Sequence, residues 1–213
     1  MSLNTLFRQT IALFALLVGA ALVPATHAQD GKHHETLEKT QPSETSGRVE
    51  VIEFFAYTCP HCKAMEPLVT KWAETLPEDV TLRRMPVAFN SNMVDLQKLY
   101  FTLENLERLD LHDQVFKALH DENKSLFSED EIADWAEEQG LDKQNFTDVF
   151  SSFGIQSRVT RANELAKNYN VEGTPTLAVG GKYVTSPTMT NSYAGTIEEA
   201  DRLIDKARKR GQP

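Results

Sequence analysis

Cys59 and Cys62 are the two cysteines of a 213-residue chain, and Pro60 and His61 lie between them. A bridge closing so small a loop adds little stability, so this spacing points to redox chemistry rather than to a staple. A thiol attacks a disulfide as thiolate, which requires the pKa of one cysteine to fall below its free value of about 8.5. A helix starting at Cys59 achieves this, because its unpaired amides and the positive end of its dipole favour the anion. Pro60 has no amide hydrogen to lose in a first turn, and His61 adds a second, titratable positive charge. On this reading Cys59 is the exposed attacking sulfur, and Cys62, one turn on, is the buried sulfur that resolves a mixed disulfide. Two other readings stand beside it. An inert buried pair gives Pro60 and His61 no purpose; a metal site completed by His33, His34 or His61 lacks a second CxxC, and no metal is expected.

Three further features bear on the same chemistry. In Gly173-Thr174-Pro175-Thr176 a proline enters a strand, where it cannot donate to the ladder. Either a cis Thr174–Pro175 bond turns the chain and leaves the Thr174 backbone free to pair with an extended substrate, or Pro175 is an ordinary trans proline at a strand start. Alternation places Glu53 on the face of Val49, Val51 and Phe55. If that face is core, Glu53 lies beneath the cysteine helix with a raised pKa and can relay a proton to or from Cys62; if not, it is solvated. His112 and His120 show no convergent partners and read as ordinary surface histidines.

The elements that must position these residues follow from periodicity. Arg48 to Tyr57 is β-branched, aromatic and nearly continuously apolar, as a central strand is, and it leads into the cysteines. Met65, Leu68, Val69 and Trp72 then recur at helical spacing up to Leu76-Pro77, and Val80 to Phe89 reads as a second strand. From Met93 to Tyr169 the pattern is helical, with Ser128 and Glu131 forming a capping box ahead of Ile132 and Trp135. Thr176–Val179, Gly180-Gly181 and Lys182–Thr185 spell a hairpin, and Thr196 with Glu199 is expected to cap a last helix. The polar stretch from Gln29 to Gly47 reads as an arm, part of which can add an edge strand. The order is that of an α/β core interrupted by an all-helical insertion.

Residues 1–28 carry one charge, Arg8, then an apolar run from Thr10 to Val23, Pro24, and the small residues Ala25, Thr26 and Ala28. That order predicts a secretory signal peptide cleaved after Ala28, the run being short of a membrane span and closed by Pro24; the alternative is an uncleaved segment retained as a membrane anchor. Losing Arg8 takes the formal charge from −9 to −10, an acidic balance that argues against nucleic acid as a partner.

Taken together, Thr36-Leu-Glu-Lys39, Glu53-Phe-Phe55, Cys59-Pro-His-Cys62, Gly173-Thr-Pro175 and Gly180-Gly-Lys-Tyr183 resemble the DsbA family of periplasmic disulfide-forming oxidoreductases. The resemblance implies a thioredoxin fold with an inserted all-helical domain. Residues 29–92 and 159–213 would then form the thioredoxin-like domain, and 93–158 the insertion. It also implies a cis proline at Pro175 opposite the cysteines and no cofactor beyond the redox-active Cys59–Cys62 disulfide. Implied partners are unfolded exported proteins with free thiols and a quinone-linked membrane oxidase of the DsbB type that reoxidises the reduced pair. Relatives often place a lysine facing the buried glutamate, where this chain has Arg84; an arginine cannot give up its proton, so a shared relay is in doubt while a pair with Glu53 stays open. Thr174 takes the place of a valine in some relatives and is expected to contact the cysteine sulfur. The competing classes are a reductase or isomerase of opposite redox poise, and a metal-holding or chaperone protein without redox turnover.

Overall fold

The computed structural model describes residues 33–45 and 47–211, so the expected signal peptide lies outside the described residues. Five strands form one sheet in the order β1-β5-β4-β2-β3. The apolar run from Arg48 gives the central strand β2 (Val49–Phe55), which pairs in parallel with β3 (Val80–Pro86) and antiparallel with β4 (Thr176–Val179). The two-glycine turn closes the hairpin from β4 to β5 (Tyr183–Thr185), and the polar arm supplies β1 (Glu35–Thr36) at the edge of β5. The arm is held tightly there. Gly181 has φ +68°, and a Cβ on it would lie 2.3 Å from the Gln41 carbonyl oxygen, so the turn accepts only glycine.

Alternation along the strands sorts side chains into two layers. Val51, Leu177, Val179 and Tyr183 pack against Met65, Val69 and Trp72 of α1 (Pro60–Ala73) and Ala200, Leu203 and Ile204 of α8 (Tyr193–Gly211). Ile52, Phe54, Ala178 and Val184 pack against the helical block on the other face. That block comprises α2 (Val94–Asn105), α3 (His112–His120), α4 (Glu129–Glu138), α5 (Lys143–Phe150) and α6 (Phe153–Asn168). Helix α6 runs unbroken through position 158, and the short α7 (Pro187–Thr190) precedes α8. The Ser128–Glu131 capping box opens α4 as expected.

Two local expectations are corrected. Leu68, placed in the apolar stripe of α1, is 40% exposed, because a stripe built on Cys62, Met65, Glu66 and Val69 faces inward instead. Thr196 and Glu199 do not cap α8: the helix starts three residues earlier, where the Ser192 hydroxyl accepts from the Gly195 amide at 2.9 Å. Thr196 is fully buried, and Glu199 faces His34 of the arm at 2.7 Å.

Candidate active site

Strand β2 delivers the chain to Cys59, which is the residue immediately before α1, with Pro60 in the first turn. Its side chain makes no capping bond, so the sulfur is left to face the free amides of the helix start. Cys59 is half-buried and Cys62 buried, and both are free thiols. Across from them the Thr174–Pro175 bond is cis, and the Cys59 thiol donates to the Thr174 carbonyl at 3.2 Å. The sulfur therefore meets the Thr174 backbone directly.

The two sulfurs are driven apart electrically. Hydrogen bonding from the Cys62 thiol, then from the Thr174 side chain and from the amides of Cys62 and His61, lowers Cys59 to about 5 against the cost of burial. Burial, followed by the neighbouring Cys59 sulfur, pushes Cys62 far up, so it holds its proton. One cysteine is thus a stable thiolate and the other a stable thiol at neutral pH, an arrangement that favours the reduced pair and makes its disulfide oxidising.

Beneath α1 lies a row of buried ionisable groups. Parallel pairing sets Glu53 opposite Arg84, and their side chains approach to 3.3 Å. Arg84 also reaches Glu66 at 2.5 Å and the Thr70 hydroxyl at 2.9 Å, so its fork bridges β2 and α1. The second Glu66 oxygen faces His112 at 3.4 Å, and His112 Nδ1 shares a 2.7 Å hydrogen bond with the Tyr57 hydroxyl. Burial, then repulsion from Glu66, raises Glu53 to about 8. Burial acts on Glu66 in the same sense, but hydrogen bonding and charge from His112 and Arg84 outweigh it and hold that carboxyl below its usual range.

The DSBA-like thioredoxin domain model matches residues 50–194. The thiol:disulfide interchange protein DsbA of Bordetella parapertussis is 47% identical over 207 residues, covering 97% of this chain and 99% of the relative. DsbA of Pseudomonas aeruginosa is 37% identical over 205 residues, 94% of this chain and 97% of that one. Its crystal structure superposes with a TM-score of 0.82 at 36% identity over 85% of this chain and 95% of that chain; DsbA1 of Neisseria meningitidis gives 0.75 at 28% over 84% and 93%.

The chain belongs to the DsbA family.

It is a thiol:disulfide oxidoreductase of that family, with the family's α/β fold. The residues expected from sequence converge: Cys59, Pro60, His61 and Cys62 open α1, Thr174 and Pro175 face them, and Glu53, 1% exposed, lies under the same helix with Arg84 beside it. His33 and His34 are not drawn to the cysteines; His34 instead bonds Glu199, and no cluster of three metal-ligating side chains occurs among the described residues.

His112 and His120 are not the surface residues expected from sequence. His112 is buried, and His120 Nε2 bonds the Tyr57 carbonyl oxygen at 2.7 Å, so both rings clamp the residue that precedes Thr58-Cys59. An ion pair of Lys63 with Asp121 ties α1 to the end of α3 as well. The signal was present: positions 112, 116 and 120 share the helix face of the buried Val115–Phe116 stripe. Glu66 was legible in the same way, four residues beyond Cys62 on the inward face. Tyr193, whose hydroxyl meets His61 Nδ1 at 2.8 Å across 132 residues, carries no such local mark.

Proposed function

We propose that this oxidoreductase donates its Cys59–Cys62 disulfide to exported proteins during oxidative folding. A substrate thiolate attacks the Cys59 sulfur, the Cys59–Cys62 bond breaks, and Cys62 leaves and takes a proton. The substrate's second thiolate then attacks its own sulfur in the mixed disulfide, and Cys59 departs as thiolate. The substrate has lost two electrons, and the enzyme holds them as one thiol and one thiolate. The observation that carries this reading is the opposed pair of sulfur pKa values at a helix start: a low-pKa sulfur leaves fast from a mixed disulfide.

The other residues take roles around that exchange. Cys62 needs a proton as it leaves, and Glu53, protonated at neutral pH, is the buried acid that supplies it and later withdraws it. His61 adds positive charge beside Cys59, and Pro60 starts the helix without sacrificing an amide. Thr174, with Pro175 fixing its direction, offers backbone to an extended substrate; its carbonyl is free of the thiol once Cys59 is in a disulfide. The working group is the protein's own disulfide. A quinone-linked membrane oxidase of the DsbB type restores it, and the apolar run after Arg8 supports export to the periplasm by a cleaved signal peptide.

Equilibration of the mature protein with glutathione buffers tests this reading. A reduction potential of about −120 mV, the value characteristic of DsbA proteins, is expected; about −270 mV, as in thioredoxin, would replace the oxidant by a reductase.

A further inference from the structure

His61 is exposed, yet its ring is not free: Nδ1 lies 2.8 Å from the Tyr193 hydroxyl. The two rings are 6.3 Å apart and inclined at 51°, so the hydroxyl, not stacking, makes the contact. The phenol is itself well anchored. Its ring packs on the core layer shared by α1 and α8. Around it the Thr190 and Thr196 hydroxyls each lie 2.9 Å from the Ser192 carbonyl oxygen and 2.8 Å from one another, so their two hydrogens serve three close contacts. A Cβ on Gly195 would lie 2.8 Å from the Ser192 hydroxyl oxygen and 3.3 Å from the Thr190 carbonyl oxygen, so a side chain there would disturb this turn. The Thr196 hydroxyl thus holds Ser192, the residue before α8, rather than capping the helix.

We propose that Tyr193 is a positioning residue for disulfide exchange, holding the His61 imidazole at the start of α1 so that its positive charge supports the Cys59 thiolate. The inference rests on the disulfide-donor reading. A phenol hydroxyl suits the task because it can both donate and accept, so it holds the imidazole Nδ1 in place. The charge is needed only when Cys59 is a thiolate, so loss of the hydroxyl weakens the reduced form more than the oxidised one. The disulfide then becomes a weaker oxidant.

Tyr193→Phe removes the hydroxyl and keeps the ring. The mature variant is equilibrated with glutathione, and the Cys59 titration is followed by thiolate absorbance. A single hydrogen bond of ordinary strength predicts a fall of about threefold to tenfold in the equilibrium constant for reduction, tenfold being about 30 mV, with the Cys59 titration moving upward. The same substitution in a His61→Ser background separates positioning from mere structure: there it is expected to change the constant less than about twofold. The proposal is overturned if Tyr193→Phe leaves the constant unchanged, makes the protein more oxidising, or shifts it equally in both backgrounds. A thioredoxin-like potential in the unsubstituted protein would instead sink the disulfide-donor reading, and the cycle would still decide whether Tyr193 acts through His61.

Discussion

The equilibrium between this protein's disulfide and glutathione is expected to rise tenfold per pH unit between about pH 5 and 8, and to be flat below 5. Two glutathione thiols bring two protons with their two electrons. Cys62, pushed upward, keeps one; Cys59, lowered to about 5, releases the other. The constant therefore carries one inverse proton concentration until glutathione itself ionises, near the free thiol value of about 8.5. From pH 5 to 8 the change amounts to roughly a thousandfold, or about 90 mV relative to glutathione. Stability of the reduced fold has the same sign. Unfolded Cys59 keeps its proton up to its ordinary value of 9.0, so between 5 and 9 the unfolded chain binds more protons; stability climbs with pH and is lost as pH falls through 5. Because Cys59 is only half-buried, screening reduces its worth at pH 7 to about 1 to 2 kcal/mol. The assay is equilibration in glutathione buffers at stepped pH, acid quenching, alkylation and mass analysis. A constant that stays level from 5.5 to 8 would refute the reasoning, since Cys59 would then keep its proton; a hundredfold change per unit would mean that Cys62 ionises too.

Cys62→Ser removes the resolving sulfur, so incubation with a disulfide-bearing substrate, whose disulfide the Cys59 thiolate attacks with departure of the substrate's second sulfur as thiolate, should trap a covalent adduct on Cys59 that denaturing gels resolve; a variant that turns over normally would reverse the assignment. Glu53 titrates at about 8 against an ordinary 4.5, so the folded protein binds more protons than the unfolded between those values and loses stability as pH rises. Glu53→Gln should therefore gain on the wild type by about 4 °C or more in Tm between pH 5 and 8, and a gap independent of pH would dismiss the raised carboxyl. His112→Ala leaves the buried Glu66 carboxyl and Tyr57 hydroxyl short of a partner. A loss of about 3 kcal/mol is expected in both redox states by denaturant unfolding, and wild-type stability would show that the clamp on Tyr57 carries little energy.

What the sequence disclosed and what it hid differ in range. The Cys59–Cys62 motif, the central strand and the hairpin at Gly180-Gly181 are local patterns whose physics is complete within a few residues. Glu53 needed one more step, the choice of face, which alternation left open; both faces of β2 are covered, so Glu53 is buried. The cis bond at Pro175 was not decidable from spacing, because a trans proline also starts strands. His112, His120 and Glu66 were misjudged or passed over because polar residues inside an apolar stripe were read one at a time. Their partners lie on other elements, and a buried polar side chain is recognised only with its partner in view. Tyr193 was beyond reach: its meeting with His61 depends on how α8 enters the fold, which Ser192 and Thr196 set and no pattern near Cys59 records.

An arginine at position 84 changes how the buried charges divide their work. A lysine offers one point charge and can itself release a proton; Arg84 does neither, and its fork engages Glu53 and Glu66 together. With the cation fixed in charge, protonation changes fall to the carboxyls, and their surroundings separate them. Glu66, between Arg84 and His112, is held ionised, whereas Glu53, buried and facing that negative charge, is held protonated to about 8. On the proposed mechanism this is the useful arrangement. The ionised carboxyl anchors the guanidinium and the helical block to α1, and the protonated one is available when Cys62 leaves into a site where burial makes its thiolate costly. A relay that ran through residue 84 would require a group that cannot release its proton, so the proposed mechanism places the proton exchange on Glu53.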